Sequence, residues 1–154
     1  MRVLDKMRHV VATCGPEDSL SDAARIMWDQ DLGCLPVVDE SHHVVALITD
    51  RDICMAAYTR GATLKDIQVA SAMSDDVVTC KREDSLHHVE RLMAKAQVRR
   101  IPVVDRNDRL VGIISLADIA TDARSLKMPL AAPGIARTLA SITERRWQGA
   151  LSSS

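Results

Sequence analysis

At two places in this chain, an apolar run is followed directly by a hydroxyl residue and, three positions later, by an aspartate: Thr49 with Asp52, and Ser115 with Asp118. This spacing is typical of a helix N-terminus, where the hydroxyl and the carboxylate satisfy free backbone N–H groups. The same N–H groups and the positive end of the helix dipole also suit a phosphate. A carboxylate one turn into the helix can accept hydrogen bonds from two adjacent hydroxyls, as on a ribose. The motif therefore supports two compatible interpretations, a helix cap and a nucleotide site.

The motif recurs because a long stretch of the chain recurs 66 residues later without an insertion. A repeat of this length predicts two copies of one structural unit. Two such copies usually pack against each other, because one unit of this size buries too little surface to be stable alone. Any pocket between them would be lined twice. The matching stretches include Glu17-Asp18-Ser19-Leu20 with Glu83-Asp84-Ser85-Leu86, and Pro36-Val37-Val38-Asp39 with Pro102-Val103-Val104-Asp105.

Each copy reads as strand, helix, strand, strand, helix. The strands are short β-branched or apolar runs, and the helices show apolar residues at helical spacing after a Ser or Thr. Pro36 and Pro102 fall at strand starts, where a missing N–H is tolerated. The predicted strands are 10–13, 35–38 and 44–48 in the first copy, and 76–79, 101–104 and 110–114 in the second. The predicted helices start near residues 19 and 50, and near residues 85 and 116.

These elements divide the chain into a first repeat at 1–61, a connector and lead-in at 62–75, a second repeat at 76–123 and a tail at 124–154. One short helix is predicted within the connector. In the tail, Pro and Gly residues between 128 and 134 should break any incoming helix, and Ile135, Leu139 and Ile142 predict an amphipathic helix ending near Trp147. We expect that helix to pack on its own domain or on a dimer mate, with membrane or partner binding as the alternative. Residues 151–154 are expected to fray.

Composition argues against several classes of protein. A net charge of −1 provides no basic field for nucleic acid or an anionic membrane. The three aromatic residues (Trp28, Tyr58 and Trp147) are too few for stacking on single-stranded nucleic acid. The apolar runs are much shorter than the roughly 20 residues that span a bilayer, and residues 1–7 lack the apolar core of a signal peptide. We therefore expect a cytoplasmic protein that binds neither nucleic acid nor membrane.

Other reactive residues give weaker signals. The four cysteines form no Cys-x-x-Cys pair, so free thiols are expected, although an oxidation sensor at Cys14 and Cys80 stays open. Two adjacent His pairs, at 42–43 and 87–88, are poorly placed for one metal ion, because neighbours on a helix point about 100° apart. The chain contains no nucleophile elbow, P-loop or His-Glu-x-x-His motif. We expect neither a catalytic nor a metal site, and no enzyme.

Taken together, the repeated motifs resemble a pair of CBS domains, also called a Bateman module. The family pattern is a strand ending near Thr, a helix, an h-Pro-Val-h-Asp strand (h is an apolar residue), and then Gly-h-h-Ser/Thr-x-x-Asp. The chain matches it at Thr13, 35–39 and 46–52, with Ala46 in place of the Gly, and again at Thr79, 101–105 and 112–118, so the resemblance covers about residues 1–123. It is also similar to short stand-alone bacterial CBS pairs of the hypoxic-response type, which share Thr-Asp-Arg-Asp-Ile at residues 49–53.

The resemblance implies an α/β (α+β) fold of two tandem β-α-β-β-α repeats packed with pseudo-two-fold symmetry, with adenosine-ligand clefts between them and a helical tail. By position in the family pattern, Asp52 and Asp118 would hold ribose hydroxyls, and Thr49 and Ser115 would contact phosphate. Arg100 is a further candidate for phosphate, and it could equally be solvated. The residues expected around the base, the sugar and the pocket wall are Val11, Thr13, Pro36, Val77, Thr79 and Pro102.

The function implied by the resemblance is regulatory. The module would bind AMP, ADP, ATP, NAD or a similar ligand, require no cofactor, and change its conformation or its dimer packing for an unknown effector protein to detect. A homodimer is implied as well. The alternative is a ligand-free dimerisation or interaction scaffold, in which the aspartates serve only as caps. Differences between the copies, such as Gly33-Cys34 against Arg99-Arg100, predict that the second site is the more cationic.

Overall fold

Residues 1–125 and 132–143 are described by a computed structural model of the chain. They form a mixed α/β structure with two small sheets, as the sequence predicts. The strands are β1 (Cys34–Val38), β2 (Val44–Thr49), β3 (Cys80–Lys81), β4 (Arg100–Val104) and β5 (Leu110–Ser115). The helices are α1 (Leu20–Asp29), α2 (Asp50–Arg60), α3 (Leu86–Ala96), α4 (Leu116–Ser125) and α5 (Ala132–Thr143). Short 3-10 turns lie at Val3–Asp5, Leu64–Asp66 and Val69–Ser71.

The chain forms two compact units. The N unit contains His9–Val77 and Val104–Gly112, and the C unit contains Met1–Arg8, Val78–Val103 and the described residues from Ile113 onward. Sheet β1–β2 belongs to the N unit, and sheet β3–β4–β5 arises from the second repeat. In the N unit, one face of α1, represented by Leu20 and Ala23, packs with strand residues such as Leu35 and Ile48. All four of these side chains are fully buried, which is the expected packing for a helix on a two-stranded sheet.

Each unit contains the lead-in segment of the other repeat: residues 1–8, the lead-in of the first repeat, belong to the C unit, and residues 62–75, the lead-in of the second, belong to the N unit. Val3 is fully buried in the C unit, where its N–H donates to the Asp84 carbonyl at 2.9 Å. Val69, its counterpart 66 residues later, is fully buried in the N unit and donates to the Asp18 carbonyl at 2.8 Å. The compact units therefore differ from the linear sequence repeats, because the two lead-in segments are exchanged.

The first strand of each repeat is shorter and later than the sequence predicts. Residues 10–13 and 76–79 form no strand, and Val10 is 95% exposed. Instead, Cys14 makes a single parallel bridge to Val37, donating to the Pro36 carbonyl at 3.2 Å, and β3 begins only at Cys80. Extending the first ladder backward to Ala12 would require an N–H from residue 36, and proline has none. The prediction of strands at 10–13 and 76–79 is therefore wrong.

The turn of each strand hairpin is held by the aspartate of the Pro-Val-Val-Asp string. Asp39 Oδ1 accepts from the N–H groups of Ser41 at 2.9 Å and His43 at 2.8 Å, and the His43 bond lowers the pKa of the Asp39 carboxyl. Asp105 Oδ1 accepts in the same way from Asn107 at 2.8 Å and from Arg109 at 3.0 Å. These aspartates fix the hairpins, and the same backbone geometry recurs at the turn residues His42 and Asp108, whose φ angles are 68° and 59°.

The connector contains two 3-10 turns where one short helix was predicted. Between the turns, Ile67 keeps extended backbone angles (φ −110°, ψ 122°), is buried, and accepts the N–H of Leu20 at 2.8 Å. A continuous helix through Ile67 would withdraw that carbonyl from the first residue of α1. The connector is therefore shaped by its attachment to α1 rather than by its own helical propensity.

Helix α5 packs on α3 through a mixed apolar and polar seam. Ile135 and Thr138 are buried, and Thr138 Oγ1 donates to Glu90 Oε1 at 3.2 Å. A side chain on Gly134 would place its Cβ 2.8 Å from the same Glu90 oxygen. Leu139 is 44% exposed, so the predicted apolar face is correct at Ile135 but not at Leu139. Helix α5 starts at Ala132, within the segment predicted to break a helix arriving from the second repeat, because Pro is tolerated in a first turn. The predicted end near Trp147 and the frayed 151–154 lie outside the described residues.

We expect Val3→Ala to lower the free energy of unfolding by about 2 kcal/mol, because Val3 is fully buried although it lies beside the chain terminus. The control is the same substitution at Val10, which is 95% exposed and should change stability by less than about 0.5 kcal/mol. Urea unfolding followed by circular dichroism measures both variants. Equal stability of the Val3→Ala and Val10→Ala proteins would contradict the structural role of the lead-in segment.

Candidate functional site

The first Thr-x-x-Asp motif forms a closed cap at the junction of β2 and α2. Thr49 is the last residue of β2 and the N-cap of α2. Its N–H donates to Asp52 Oδ2 at 2.8 Å, its hydroxyl donates to the same oxygen at 2.7 Å, and the Asp52 N–H donates to Thr49 Oγ1 at 3.1 Å. Both residues are half-buried. The cap prediction is therefore realised, and its hydrogen bonds to the carboxylate all end on Oδ2.

The second motif repeats this geometry between β5 and α4. The Ser115 N–H donates to Asp118 Oδ2 at 2.9 Å, the Ser115 hydroxyl donates to the same oxygen at 2.5 Å, and the Asp118 N–H donates to Ser115 Oγ at 3.2 Å. The other carboxylate oxygen, Asp118 Oδ1, lies 3.6 Å from Nε of Arg8. The two sites therefore have the same cap geometry, and the second site also has the basic side chain of Arg8 beside it.

Hairpin geometry determines what lies next to each cap. Thr49 is directly opposite Cys34 in the β1–β2 register, and the Asp50 N–H donates to the Gly33 carbonyl at 3.2 Å. In the second repeat, the Leu116 N–H donates to the Arg99 carbonyl at 2.9 Å. Arg100 starts β4, so it lies at the open end of the hairpin, where β5 ends and α4 begins, and it is exposed. The predicted phosphate candidate Arg100 is thus placed beside the second cap.

The remaining predicted ligand residues lie in two places in each repeat: the segment before Cys14 or Cys80, and the strand β1 or β4. Pro36 is buried in β1, and its carbonyl accepts a hydrogen bond from the N–H of Cys14. Thr13, which directly precedes Cys14, is half-buried. Pro102 is buried in β4, and the half-buried Thr79 precedes β3, the neighbour of β4. Val11 and Val77 are half-buried in irregular backbone. The structure thus places Thr13 and Thr79 one residue before the pairing positions Cys14 and Cys80.

The start of α1 shows that the same motif also forms a cap outside the two candidate sites. The Ser19 hydroxyl donates to Asp22 Oδ2 at 2.7 Å, and the Asp22 N–H donates to Ser19 Oγ at 3.1 Å. The Ser19 bond lowers the pKa of the Asp22 carboxyl. Asp22 is exposed, whereas Asp52 and Asp118 are half-buried at the end of a hairpin. Position in the fold, rather than the motif itself, therefore distinguishes the two candidate sites.

Arg8 is the residue that sequence analysis missed. Arg8 is far from Asp118 in the sequence and lies outside the recognised motif. Only the pairing of the lead-in segment with β5, through a bridge between Arg8 and Ile113, brings it to the second cap. The sequence signal that could have drawn attention to Arg8 was the 66-residue register, which aligns this basic residue with Ser74.

Burial opposes the oxidation-sensor interpretation of the matched cysteines. Desolvation raises the pKa of the Cys14 thiol from 9.0 to about 12, and the neighbouring Asp18 adds to the rise. Desolvation likewise raises the pKa of the Cys80 thiol to about 12, with a contribution from Asp84. The reactive thiolate is therefore scarce at both positions near neutral pH. All four cysteines are free, and Cys54 is exposed.

Within 1–125 and 132–143, no group of three or more His, Cys, Asp or Glu side chains is arranged to hold a metal ion. Across the same residues, none of the helices has the length and apolar character needed to cross a bilayer.

Comparison with known proteins agrees with this architecture. The family model of the CBS domain matches residues 3–58 and 64–123. CBS domain-containing protein YhcV of Bacillus subtilis is 37% identical over 125 residues, which cover 80% of this chain and 86% of that protein. Hypoxic response protein 1 of Mycobacterium tuberculosis is 31% identical over 116 residues, 75% of this chain and 80% of that protein. The chain therefore belongs to the CBS-domain family, as a pair of CBS domains, and the predicted family is confirmed.

Solved structures support the same fold. The CBS domain pair of protein MJ0100, crystallised with 5′-methylthioadenosine and S-adenosyl-L-methionine, has a TM-score of 0.74 and 28% identity, covering 82% of this chain and 98% of that one. The crystal structure of Hypoxic Response Protein I holds two coordinated zinc ions, and it has a TM-score of 0.72 and 29% identity over 79% of this chain and 98% of that one. Among curated relatives, the match to homoserine O-acetyltransferase of Methanosphaera stadtmanae covers 23% of that enzyme.

We expect Cys54 alone to react rapidly with a maleimide in the native protein, because it is the exposed thiol while Cys14, Cys34 and Cys80 are buried. With a pKa of about 12, roughly one Cys14 thiol in ten thousand is ionised at pH 8. Mass spectrometry should show one label on the native chain, four in denaturant and none on native Cys54→Ser. Fast labelling of Cys14 or Cys80 in the native protein would revive the redox hypothesis.

Proposed function

We propose that this CBS-domain pair is a regulatory module that binds adenosine-containing ligands at the two strand-to-helix junctions. The observation that carries the proposal is the doubled cap, Thr49 with Asp52 and Ser115 with Asp118, at equivalent places in two repeats. The bound 5′-methylthioadenosine and S-adenosyl-L-methionine of the MJ0100 domain pair support this ligand class. AMP, ADP, ATP and NAD share the same adenosine group. The module requires no cofactor and has no catalytic role.

The cap and the ligand would use different oxygen atoms. Both hydrogen bonds from Thr49 to Asp52 end on Oδ2, and both from Ser115 to Asp118 also end on Oδ2. A carboxylate has two oxygens, so Oδ1 of each aspartate can accept ribose hydroxyls while the helix start stays intact. The positive ends of the α2 and α4 helix dipoles then favour a phosphate at the same end of the helix. Thr13, Thr79, Val11 and Val77, with Pro36 and Pro102, would supply the mainly apolar surface for the adenine and the sugar.

Regulation follows from differential affinity. A ligand shifts the balance between two arrangements of the protein only as far as it binds one more tightly than the other. We infer that an effector protein recognises the favoured arrangement. The free thiols of all four cysteines are consistent with the cytoplasm as the expected compartment.

A homodimer is the second part of the proposal, and exposed aromatic residues support it. Trp28 on α1 is 87% exposed and Tyr58 on α2 is 83% exposed, in a chain with three aromatic residues. Helices α1 and α2 contact each other, and Trp28 borders an open depression that also includes Met27, Leu32 and Ile53. Exposed aromatic side chains are enriched at protein interfaces. A ligand-free scaffold remains the alternative function, and the same surface would serve it.

The ligand proposal predicts that Asp52→Ala and Asp118→Ala each remove one binding site. We expect affinity at the altered site to fall at least about tenfold, because the ribose loses charge-assisted hydrogen bonds. Asp22→Ala is the matched control: it breaks the same kind of cap on α1 and should leave binding unchanged. Each of the three variants should lose about 1 kcal/mol of stability. Calorimetry with adenosine, AMP, ADP, ATP, NAD and S-adenosyl-L-methionine measures binding to protein refolded free of ligand.

A different set of binding results supports the ligand-free scaffold. If none of these compounds binds, or if ligand-induced thermal stabilisation is the same in wild type, Asp52→Ala and Asp118→Ala, the adenosine proposal fails. In that case the two aspartates act only as caps, as Asp22 does.

The dimer proposal predicts that Trp28→Ala shifts the mass measured by light scattering toward the monomer at micromolar concentration. Removing an exposed aromatic anchor weakens an interface by about 2 kcal/mol or more when the residue is central to it. Val10→Ala, which alters another exposed apolar residue, should leave the mass unchanged. A wild-type protein that is monomeric at all concentrations tested would contradict the proposal.

A further inference from the structure

The backbone of Arg8 is fixed beside the second cap. Its N–H donates to the Ile113 carbonyl at 2.9 Å, and its carbonyl accepts the Ile113 N–H at 3.0 Å. Ile113 lies two residues before Ser115 on β5. The guanidinium therefore starts from a defined point next to the strand that delivers the cap, within the C unit.

The Arg8 side chain faces the carboxylate proposed to bind the ligand. Its Nε lies 3.6 Å from Asp118 Oδ1, the oxygen that the cap does not use. The Arg8 side chain is 68% exposed and that of Asp118 is 18% exposed. An ion pair this long and this exposed contributes little to stability, so Arg8 can turn toward a new anion without a large penalty.

The N unit contains the same backbone arrangement with a different side chain. Ser74 bridges Leu47 on β2, donating to its carbonyl at 2.9 Å, just as Arg8 bridges Ile113. The 66-residue register aligns Ser74 with Arg8, and it also aligns Gly33 with Arg99 and Cys34 with Arg100. Around the second cap, three arginines therefore occupy the positions that serine, glycine and cysteine occupy around the first.

We propose that Arg8 makes the C-unit site selective for phosphate-bearing adenosine ligands, while the N-unit site, with Ser74 at that position, discriminates little between charged and neutral ones. This inference rests on the proposed function of the same site. When ribose hydroxyls occupy Asp118 Oδ1, the guanidinium turns from the carboxylate to the ligand phosphate. Its planar donors fit phosphate oxygens, and hydrogen bonds between two charged groups are stronger than neutral ones.

The experiment exchanges the residues at positions 8 and 74 and measures ligand binding at one site at a time. Arg8→Ser is made in the Asp52→Ala background, where the C-unit site is read alone, and Ser74→Arg is made in the Asp118→Ala background. Calorimetry with adenosine and with AMP gives a ratio of affinities for each protein. We expect Arg8→Ser to weaken AMP about tenfold and adenosine by less than about twofold. Ser74→Arg should raise the preference for AMP at the N-unit site, and added salt should reduce the preference of the C-unit site.

The outcomes separate this inference from the function on which it rests. If the wild-type protein binds neither adenosine nor AMP, the inference and the proposed function both fail. If it binds them, and Arg8→Ser weakens both equally or neither, the selectivity role of Arg8 is overturned while the adenosine site stands. Lys6→Ser, another lead-in substitution, is the control and should leave the affinity ratio unchanged.

Discussion

The strand-to-helix junction is the constraint on which the rest of this protein depends. Thr49 and Ser115 each end a strand and cap a helix, so no linker separates the hairpin from the helix that follows it. A junction without a linker has few conformations, and the direction of the helix is therefore fixed by the hairpin. The hairpin is fixed in turn by Asp39 or Asp105 at its tip. A carboxylate and the positive end of a helix dipole are consequently held at one point in each repeat, ready for a ligand without further ordering.

Local interactions explain what could be predicted from the sequence. Helix starts at Ser19 and Ser85 depend on a hydroxyl and on residues within one turn, so the motif and the structure agree. The hairpins depend on apolar strands and on a short polar turn, which are also local. The prediction of the first strand was wrong because Pro36 lacks an N–H. This restriction acts on the partner segment rather than on the strand that contains the proline. Arg8 was missed for a related reason: it reaches Asp118 only through a pairing across most of the chain.

The two repeats keep the scaffold and differ around it. Many buried positions match in both copies, such as Val37 with Val103 and Ile48 with Ile114. Asp31 and Gln97, which also align, both have left-handed backbone angles, with φ of 53° and 54°. The basic residues Arg8, Arg99 and Arg100 lie around the second cap, and the 66-residue register aligns them with Ser74, Gly33 and Cys34, none of which is basic. Because exposed side chains are free to change without loss of packing, one fold can carry two sites of different charge.

The exchange of lead-in segments also has a consequence for folding during synthesis. Residues 1–8 leave the ribosome before their partners, since Arg82 and Asp84, among them, are made about 80 residues later. Val3 and Met7 must therefore stay exposed until most of the second repeat has been translated. Pairings across such a separation close slowly, because loop entropy is lost before the contact forms. Residues 1–8 are thus among the last segments of this CBS-domain pair to fold.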